Sequence, residues 1–262
     1  MNERLDLTRH RELGDLLGGT ARLFLNHLAV FLSVTLLIVT PVVLIVDGIW
    51  GRALADGVDA DEPLAASITS TFLQAIVIPP LITALHVVIV MGLARGEEPT
   101  VGGALRAASE RFLPALGTVM LAALGVLLGL LAFVVPGIWL GVRWYLGAQA
   151  AVVDGLPPVA ALRRSAELVK DRWWRTFGYL IVAAILFTLI VGLPGALVGV
   201  IASEASGALY VTTVIVVQAV SLSLTAIFGT LLFFDLRARR ELPWEGFALP
   251  RPDAPENPFG TA

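Results

Sequence analysis

Long apolar runs separated by short polar segments dominate the pattern of this chain. A helix that crosses a bilayer core about 30 Å thick needs about 20 mostly apolar residues. Five runs approach or exceed that length, at residues 28–46, 70–93, 113–135, 177–201 and 209–234. Each run is therefore predicted to form a membrane-spanning helix.

A sixth, shorter apolar run covers residues 138–153, inside the stretch PGIWLGVRWYLGAQAAVVDG. It follows a Pro-Gly pair and carries Arg143, so its pattern alone does not establish a crossing. The basic residues favour one, because cytoplasmic loops are enriched in Lys and Arg. With six crossings and both termini in the cytoplasm, all 18 basic residues except Arg52 and Arg143 fall in cytoplasmic segments. Five crossings would instead place RRSAELVKDRWWR outside.

These patterns predict an all-α fold, a six-span transmembrane helical bundle in which residues 1–240 form a single membrane domain. Composition agrees, because 57% of the residues are hydrophobic and 15% charged, against about a quarter charged in soluble domains. The first apolar run is too long for a cleaved signal and is interpreted as a retained anchor. Residues 241–262 are proline-rich and are predicted to be an irregular cytoplasmic tail. The expected location is a bacterial inner membrane.

An amphipathic helix is predicted just before the fifth run, on the cytoplasmic side. Leu162, Ala166, Val169 and Trp173 recur at spacings that form one apolar stripe, and Pro157-Pro158 can begin the helix. Such a helix lies along the inner leaflet with its basic groups near anionic headgroups. The candidate lipid contacts are Arg163, Arg164, Lys170, Arg172, Trp173 and Trp174. A simple topology anchor is the first interpretation, and a specific lipid or partner site is the alternative.

Three segments that precede spans share small and basic residues, which indicates a threefold repeat of surface helix, span, outside turn and span. The aligned positions are Leu17, Leu105 and Leu162, followed three residues later by Thr20, Ala108 and Ser165.

Arg143 leads the candidate site residues, because a charge inside a span is costly and needs a partner, water or the interface. If its helix enters from outside near Ile138, Arg143 lies about 7 Å deep. Asp47, at the outer end of the first span, is at a plausible depth to pair with it. A salt bridge or a snorkelling arginine is one interpretation. The other is an anion or lipid-headgroup site that includes Trp144.

A second candidate is the polar face of the last span, where Gln218, Ser221 and Thr225 are spaced to share one side of a helix. Polar residues commonly join membrane helices to each other. A permeation path would need similar faces elsewhere, which Gln74, His86 and Gln149 would have to supply. Three Gly-x-x-x-Gly spacings, at 125/129, 137/141 and 195/199, predict close helix packing within the chain or, alternatively, dimerisation.

Catalytic and metal chemistry finds little support. The chain has no cysteine, and its three histidines are scattered. No paired acids lie in the runs, and no GxxxxGK[ST] phosphate loop occurs. We therefore expect no enzyme activity, no cofactor and no nucleic-acid partner. Membrane lipids are the expected partners, with a protein partner or a homo-oligomer also possible.

The segment from Pro136 to Gly178 resembles a pattern in bacterial integral-membrane proteins. The pattern is Pro-Gly-Ile, a span with Arg-Trp, a glycine turn, Ala-Leu-x-Arg-Ser and a Trp-rich helix. The family is the glycerophosphoryl diester phosphodiesterase membrane domain. The opening LGDLLGGTARLFLNHLAVFL is also similar to that family's start, although the usual basic pair is replaced by Leu25 and Asn26. The resemblance implies a multi-span membrane domain of unsettled role.

The activity in that family's name belongs to a fused soluble barrel, which needs about 200 residues or more. No extramembrane segment here has that length, and no His-Arg-Gly motif occurs, so the activity does not carry over. The expected function is a non-catalytic membrane scaffold or a lipid- or envelope-associated module. The alternative is a transporter of small solutes or lipids that uses Arg143 and the polar faces.

Overall fold

The computed structural model describes residues 6–7, 10–50, 68 and 72–240, apart from the side chains of residues 46–50 and 75. Every regular element in these residues is helical, which confirms the all-α prediction for the described part of the chain. The α-helices are α1 (Leu13–Asn26), α2 (Leu28–Trp50), α3 (Ile78–Arg95), α4 (Val101–Ala132), α5 (Val134–Trp144), α6 (Gly147–Val153), α7 (Pro158–Val169), α8 (Trp173–Phe187), α9 (Leu193–Ala205) and α10 (Gly207–Arg240). The predicted tail, residues 241–262, lies outside the described residues.

Five helical stretches of the described chain are long and apolar enough to cross a membrane. They are Leu28–Ile45, Ile78–Arg95, Val101–Ala132, Trp173–Ala205 and Gly207–Arg240. Each overlaps one of the five long runs predicted from the pattern. The helices extend beyond those runs because the polar flanks, such as residues 101–112, continue the same helix.

The sixth run is not one helix. Its chain forms α5 and α6, which are separated by a turn at Tyr145 and Leu146. Gly147 begins α6, and a Cβ added there would come within 2.9 Å of Thr118 and Leu162 side chains. Only a glycine backbone can approach these neighbours so closely, and the helix bends where this contact is made.

The α5–α6 segment returns antiparallel along α4. The backbone of Gly137 packs against Gly129 near the end of α4, and the Arg111 guanidinium donates a hydrogen bond to the Val152 carbonyl near its start. Residues 111 and 129 are about 27 Å apart along an ideal helix. The returning segment therefore covers a length close to the thickness of a bilayer core.

Two π-helical turns interrupt the longest apolar stretches, and both precede a proline. Leu73–Val77 ends two residues before Pro79, and Thr188–Gly192 ends two residues before Pro194. Proline lacks the N–H that an α-helix needs and its ring crowds the preceding turn, so the helix widens there. The turn at Thr188–Gly192 connects α8 and α9 into one long apolar helical stretch.

The core surrounds the C-terminal half of α10, which is buried from Ala226 through Leu236. Helices α1, α2 and α3 pack around α10. The outer faces of α4, α5, α8 and α9 carry large exposed apolar side chains, among them Leu113, Leu131, Ile138, Ile185, Leu197 and Val200. An apolar surface of this extent is compatible with lipid and not with water.

Candidate functional site

Arg143 lies near the C-terminal end of α5 and is half-buried. Its guanidinium carbon is 4.6 Å from the centre of the Trp139 ring, one turn earlier on the same helix. A cation over an aromatic face is stabilised by the negative charge of the ring face. Among the described side chains, no carboxylate forms an ion pair with Arg143. The side chain of Asp47 is outside the described part, so the predicted pair stays a prediction.

Aromatic side chains at the start of α8 lie beside Trp139, the residue whose ring covers Arg143. The indole N–H of Trp173 donates a hydrogen bond of 3.3 Å to the Trp139 carbonyl. Trp173 stacks on Phe177 at 5.0 Å and meets the edge of Trp174 at 4.8 Å. We call these five residues the Trp–Arg cluster. It joins two groups that the sequence suggested separately, one on each side of the membrane.

The helix that carries Arg143 begins earlier than the sequence analysis assumed. Helix α5 begins at Val134 rather than Ile138, so Arg143 is nine residues, about 14 Å, along it. The Ser165 hydroxyl of α7 donates to the Arg143 carbonyl at 2.9 Å. The arginine thus packs beside the amphipathic helix α7 and the start of α8.

Trp144 does not belong to this cluster. A Cβ added to Gly125 of α4 would lie less than 3.0 Å from the Trp144 ring. Trp144 therefore fills the space left by a glycine and serves the packing of α5 on α4.

A helix, α7, forms in the segment predicted to be amphipathic, and its location at a membrane surface stays a prediction. Leu162, Ala166 and Val169 are buried on one face, and Pro157 and Pro158 occupy the cap and first helical position, as predicted. The predicted lipid contacts divide into two groups. Arg163, Lys170 and Trp174 are exposed, whereas Arg164, Arg172 and Trp173 bond to other parts of the protein.

A buried carboxylate, Asp235 near the end of α10, holds three parts of the chain together. It accepts a hydrogen bond from the backbone N–H of Arg11 at 2.7 Å, and Arg239 donates to both of its oxygens at 3.0 Å. Arg175 of α8 lies 4.0 Å away. Arg175 and Arg239 also donate to the Arg11 carbonyl, each at 2.9 Å. We call these contacts the Asp235 network.

Glu12 forms the exposed edge of the Asp235 network. It accepts a hydrogen bond from the Tyr179 hydroxyl at 3.0 Å and pairs with Arg175 at 3.4 Å and Arg239 at 3.6 Å. The Tyr179 hydrogen bond and the nearby Arg175 charge lower the pKa of Glu12 below its usual value.

A second carboxylate, Asp154, joins the α6–α7 loop to α10. It pairs with Arg237 at 2.8 Å and with Arg164 at 3.3 Å. The sequence analysis explained these arginines by membrane topology and assigned no role to their carboxylate partners.

The pair of Asp235 with Arg239 could have been predicted from the sequence. Asp235 stands four residues before Arg239 on a helix, the spacing at which side chains meet.

The predicted polar face of α10 is not joined to the other polar residues. Gln218 and Ser221 are half-buried, and the exposed Thr225 donates to the Ser221 carbonyl at 2.8 Å. Gln74 is exposed, while His86 and Gln149 are buried elsewhere. The interhelical polar contact at this part of the bundle is instead between Thr35 of α2 and Ser223 of α10, at 2.9 Å.

His86 is a polar residue buried within the apolar helix α3. It is fully buried, stacks on Phe31 at 5.1 Å, and its Nδ1 donates to the Ile82 carbonyl at 2.8 Å. Within the residues that the structure covers, no group of three or more His, Asp or Glu side chains is arranged to hold a metal ion.

A family model described as "Domain of unknown function (DUF7847)" matches residues 27–234, which is most of the chain. No curated protein and no solved structure matches the chain significantly. The match does not concern the glycerophosphoryl diester phosphodiesterase membrane domain, so that resemblance stays a prediction.

Proposed function

This chain belongs to the DUF7847 family, and from that premise we propose that it is a non-catalytic membrane scaffold. Its charged end contacts anionic lipid headgroups of the inner leaflet. In this proposal the chain crosses a bacterial inner membrane six times, and both termini lie in the cytoplasm.

The return of α5 and α6 along α4 supports the sixth crossing, because the two helices together match the length of a span. The Asp235 network and the Asp154 pairs support the orientation. They gather Arg11, which precedes α1, and arginines of α7, α8 and α10 at one end of the bundle, as expected from cytoplasmic enrichment of basic residues.

One observation carries the choice of a scaffold over a transporter. Several polar side chains buried in the apolar stretches bond to a carbonyl one turn earlier on their own helix. This holds for the hydroxyls of Thr35, Thr118 and Thr230 and for Nδ1 of His86, whose Nε2 has no partner among the described residues. A polar group satisfied by its own helix needs no aqueous path. The charged groups, in contrast, tie helices to each other at one end.

The lipid contact is carried by cations that point outward from that end. Arg106, Arg163 and Lys170 are exposed, and no ion pair engages them within the described residues. Each basic residue near an anionic membrane surface contributes about 1 kcal/mol of attraction.

The proposal is tested by lipid-dependent stability of the purified full chain in detergent. We expect phosphatidylglycerol to raise the melting temperature more than phosphatidylethanolamine does, and added salt to reduce the difference. The triple variant Arg106→Gln, Arg163→Gln, Lys170→Gln should lose most of this preference.

Arg95→Gln provides the matched control, since Arg95 is already paired with Glu97 at 2.6 Å and should leave the preference intact. An unchanged preference in the triple variant would refute headgroup contact at the charged end. Solute uptake by proteoliposomes that depends on the protein would favour the transporter instead.

A further inference from the structure

We infer that the Trp–Arg cluster is a binding site for the phosphate of a phospholipid headgroup, in the leaflet of the charged end. This inference rests on the proposed function and names a specific site within it. The cluster comprises Trp139, Arg143, Trp173, Trp174 and Phe177.

Arg143 can accept an anion as a partner. The guanidinium is half-buried against apolar helices and has one ring, Trp139, over one face. None of the described carboxylates pairs with Arg143, and its guanidinium donates no hydrogen bond to the described part of the chain. A guanidinium presents several N–H donors in a planar fork, which matches two oxygens of a phosphate.

Exposed aromatic side chains border this arginine. Trp139 is 43% exposed and Trp174 78% exposed. Indole rings are stable at the membrane interface, where an apolar ring and a polar N–H meet lipid and water. Trp173 is fixed between them by its hydrogen bond to the Trp139 carbonyl and its stacking on Phe177. The cluster is therefore formed before a ligand arrives.

The neighbours of the cluster indicate its leaflet. Arg172, next to Trp173, donates to the Arg239 carbonyl at 3.2 Å, and Arg175 belongs to the Asp235 network. The cluster thus adjoins the charged end of the bundle. In this proposal the site of Arg143 therefore lies in the leaflet of the charged end, whereas the sequence analysis placed Arg143 nearer the outer end of its span.

A lipid phosphate and free inorganic phosphate offer the same oxygens to Arg143. The surface beside the cluster favours the lipid, because Val135 and Ile138 are large, exposed and apolar. Acyl chains can cover these side chains, whereas an aqueous ion cannot.

The test measures lipid binding to the purified full chain by native mass spectrometry. Phosphatidylethanolamine is the main probe, because it carries a phosphate without net charge. A digalactosyl diacylglycerol, which has similar tails and no phosphate, is the second probe, and inorganic phosphate is the competitor. We expect Arg143→Gln to weaken phosphatidylethanolamine binding about tenfold or more, the loss typical of a charge-assisted hydrogen bond. Glycolipid binding should not change.

Two further variants keep the test decisive. Arg143→Lys retains the charge but loses the fork and should recover only part of the affinity. Trp174→Ala removes a ring that is 78% exposed and should weaken phosphatidylethanolamine binding several-fold. If Arg143→Gln fails to fold, the Trp174→Ala result decides. Arg95→Gln is the control and should bind as the wild type does.

The inference is overturned if Arg143→Gln or Trp174→Ala binds phosphatidylethanolamine normally. It is also overturned if both lipids are lost together, or if millimolar phosphate displaces the lipid. Failure here is distinct from failure of the proposed function, which concerns the preference for phosphatidylglycerol and the cations at 106, 163 and 170.

Discussion

At the residue scale, Asp235 shows how a membrane bundle can bury a charge. The carboxylate is fully buried, yet it accepts the Arg11 N–H and both bonds from Arg239. Each of these contacts compensates part of the cost of removing the charge from water. The result is a fixed junction of the N-terminal segment, α8 and α10.

Asp235→Ala should destabilise the protein strongly. Arg239 and the Arg11 N–H would remain buried but would no longer have the carboxylate to which they donate hydrogen bonds. Breaking one side of a buried pair costs about 3–5 kcal/mol. Denaturant unfolding of the full chain in detergent measures the change. Glu97→Ala removes an exposed partner of Arg95 and should cost less than about 1 kcal/mol. Equal losses in both variants would show that Asp235 is not specially placed.

Asp171, between α7 and α8, has a backbone φ of 68°, in the left-handed region. A side chain there is strained by about 1–2 kcal/mol, and glycine is not. Asp171→Gly should therefore be more stable than Asp171→Ala by about 1 kcal/mol. Both variants lose the same carboxylate, so the comparison isolates the backbone. Equal melting temperatures would mean that the turn is not constrained to this conformation.

The lowered pKa of Glu12 predicts a dependence of stability on pH. Its folded-state pKa lies below the ordinary glutamate value of 4.5 because of the Tyr179 hydrogen bond and then the Arg175 charge. The ionised form thus stabilises the folded state above pH 4.5, and this contribution disappears as the pH falls through the lowered pKa.

Melting temperatures of wild type and Glu12→Gln, measured in detergent between about pH 7 and pH 3, should differ at neutral pH and converge in acid. A difference that stays constant over this range would assign the effect to packing rather than to the charge of Glu12.

At the element scale, glycines decide how α5 lies on α4. Gly129 and Gly137 face each other, and Gly125 receives the Trp144 ring. Gly195 packs on Val217 of α10 in the same way. The Gly-x-x-x-Gly spacings thus serve contacts within one chain at these positions, which was the first of the two interpretations.

Gly125→Ala should destabilise the α4–α5 pair by about 1–3 kcal/mol, because a methyl group would overlap the Trp144 ring. Gly178→Ala in α8 is the matched control, since no other atom lies within 4 Å of its added methyl group. It should be neutral or stabilising, because alanine favours a helix more than glycine does. Similar effects of the two changes would contradict the close approach at Gly125.

At the scale of the whole molecule, the sixth crossing sets the side on which α7, α8 and α10 lie. With α5 and α6 crossing, Phe133 and Ser206 face outside and Lys170 faces the cytoplasm. Without it, Lys170 faces outside and Ser206 inside. The chain contains no cysteine, so single cysteines can be introduced without background.

We expect Phe133→Cys and Ser206→Cys to react with a membrane-impermeant maleimide in intact cells. Lys170→Cys should react only after the cells are permeabilised. Labelling of Lys170→Cys from outside, with protection of Ser206→Cys, would establish five crossings. Leu231→Cys, buried in the core, controls for non-specific reaction.

The predicted threefold repeat has partial correspondence in the element order, because a separate short helix, α1 or α7, precedes the first and the third pair of long helical stretches. Thr20, Ala108 and Ser165, the aligned small residues, are all fully buried. In the second copy, however, the surface helix and the span are one continuous helix, α4. The repeat therefore stays a prediction.

The apolar pattern by itself determined the helical class, the five stretches long enough to cross a membrane and the buried stripe of α7. Hydrophobic length and periodicity are local properties, and a helix satisfies its own backbone hydrogen bonds. The break between α5 and α6, the hydrogen bond from the Arg11 N–H to Asp235, and the hydrogen bond from Trp173 to the Trp139 carbonyl were decided only by the tertiary structure. The two hydrogen bonds join residues 224 and 34 positions apart, so their distances depend on how the helices pack and not on any spacing along the chain.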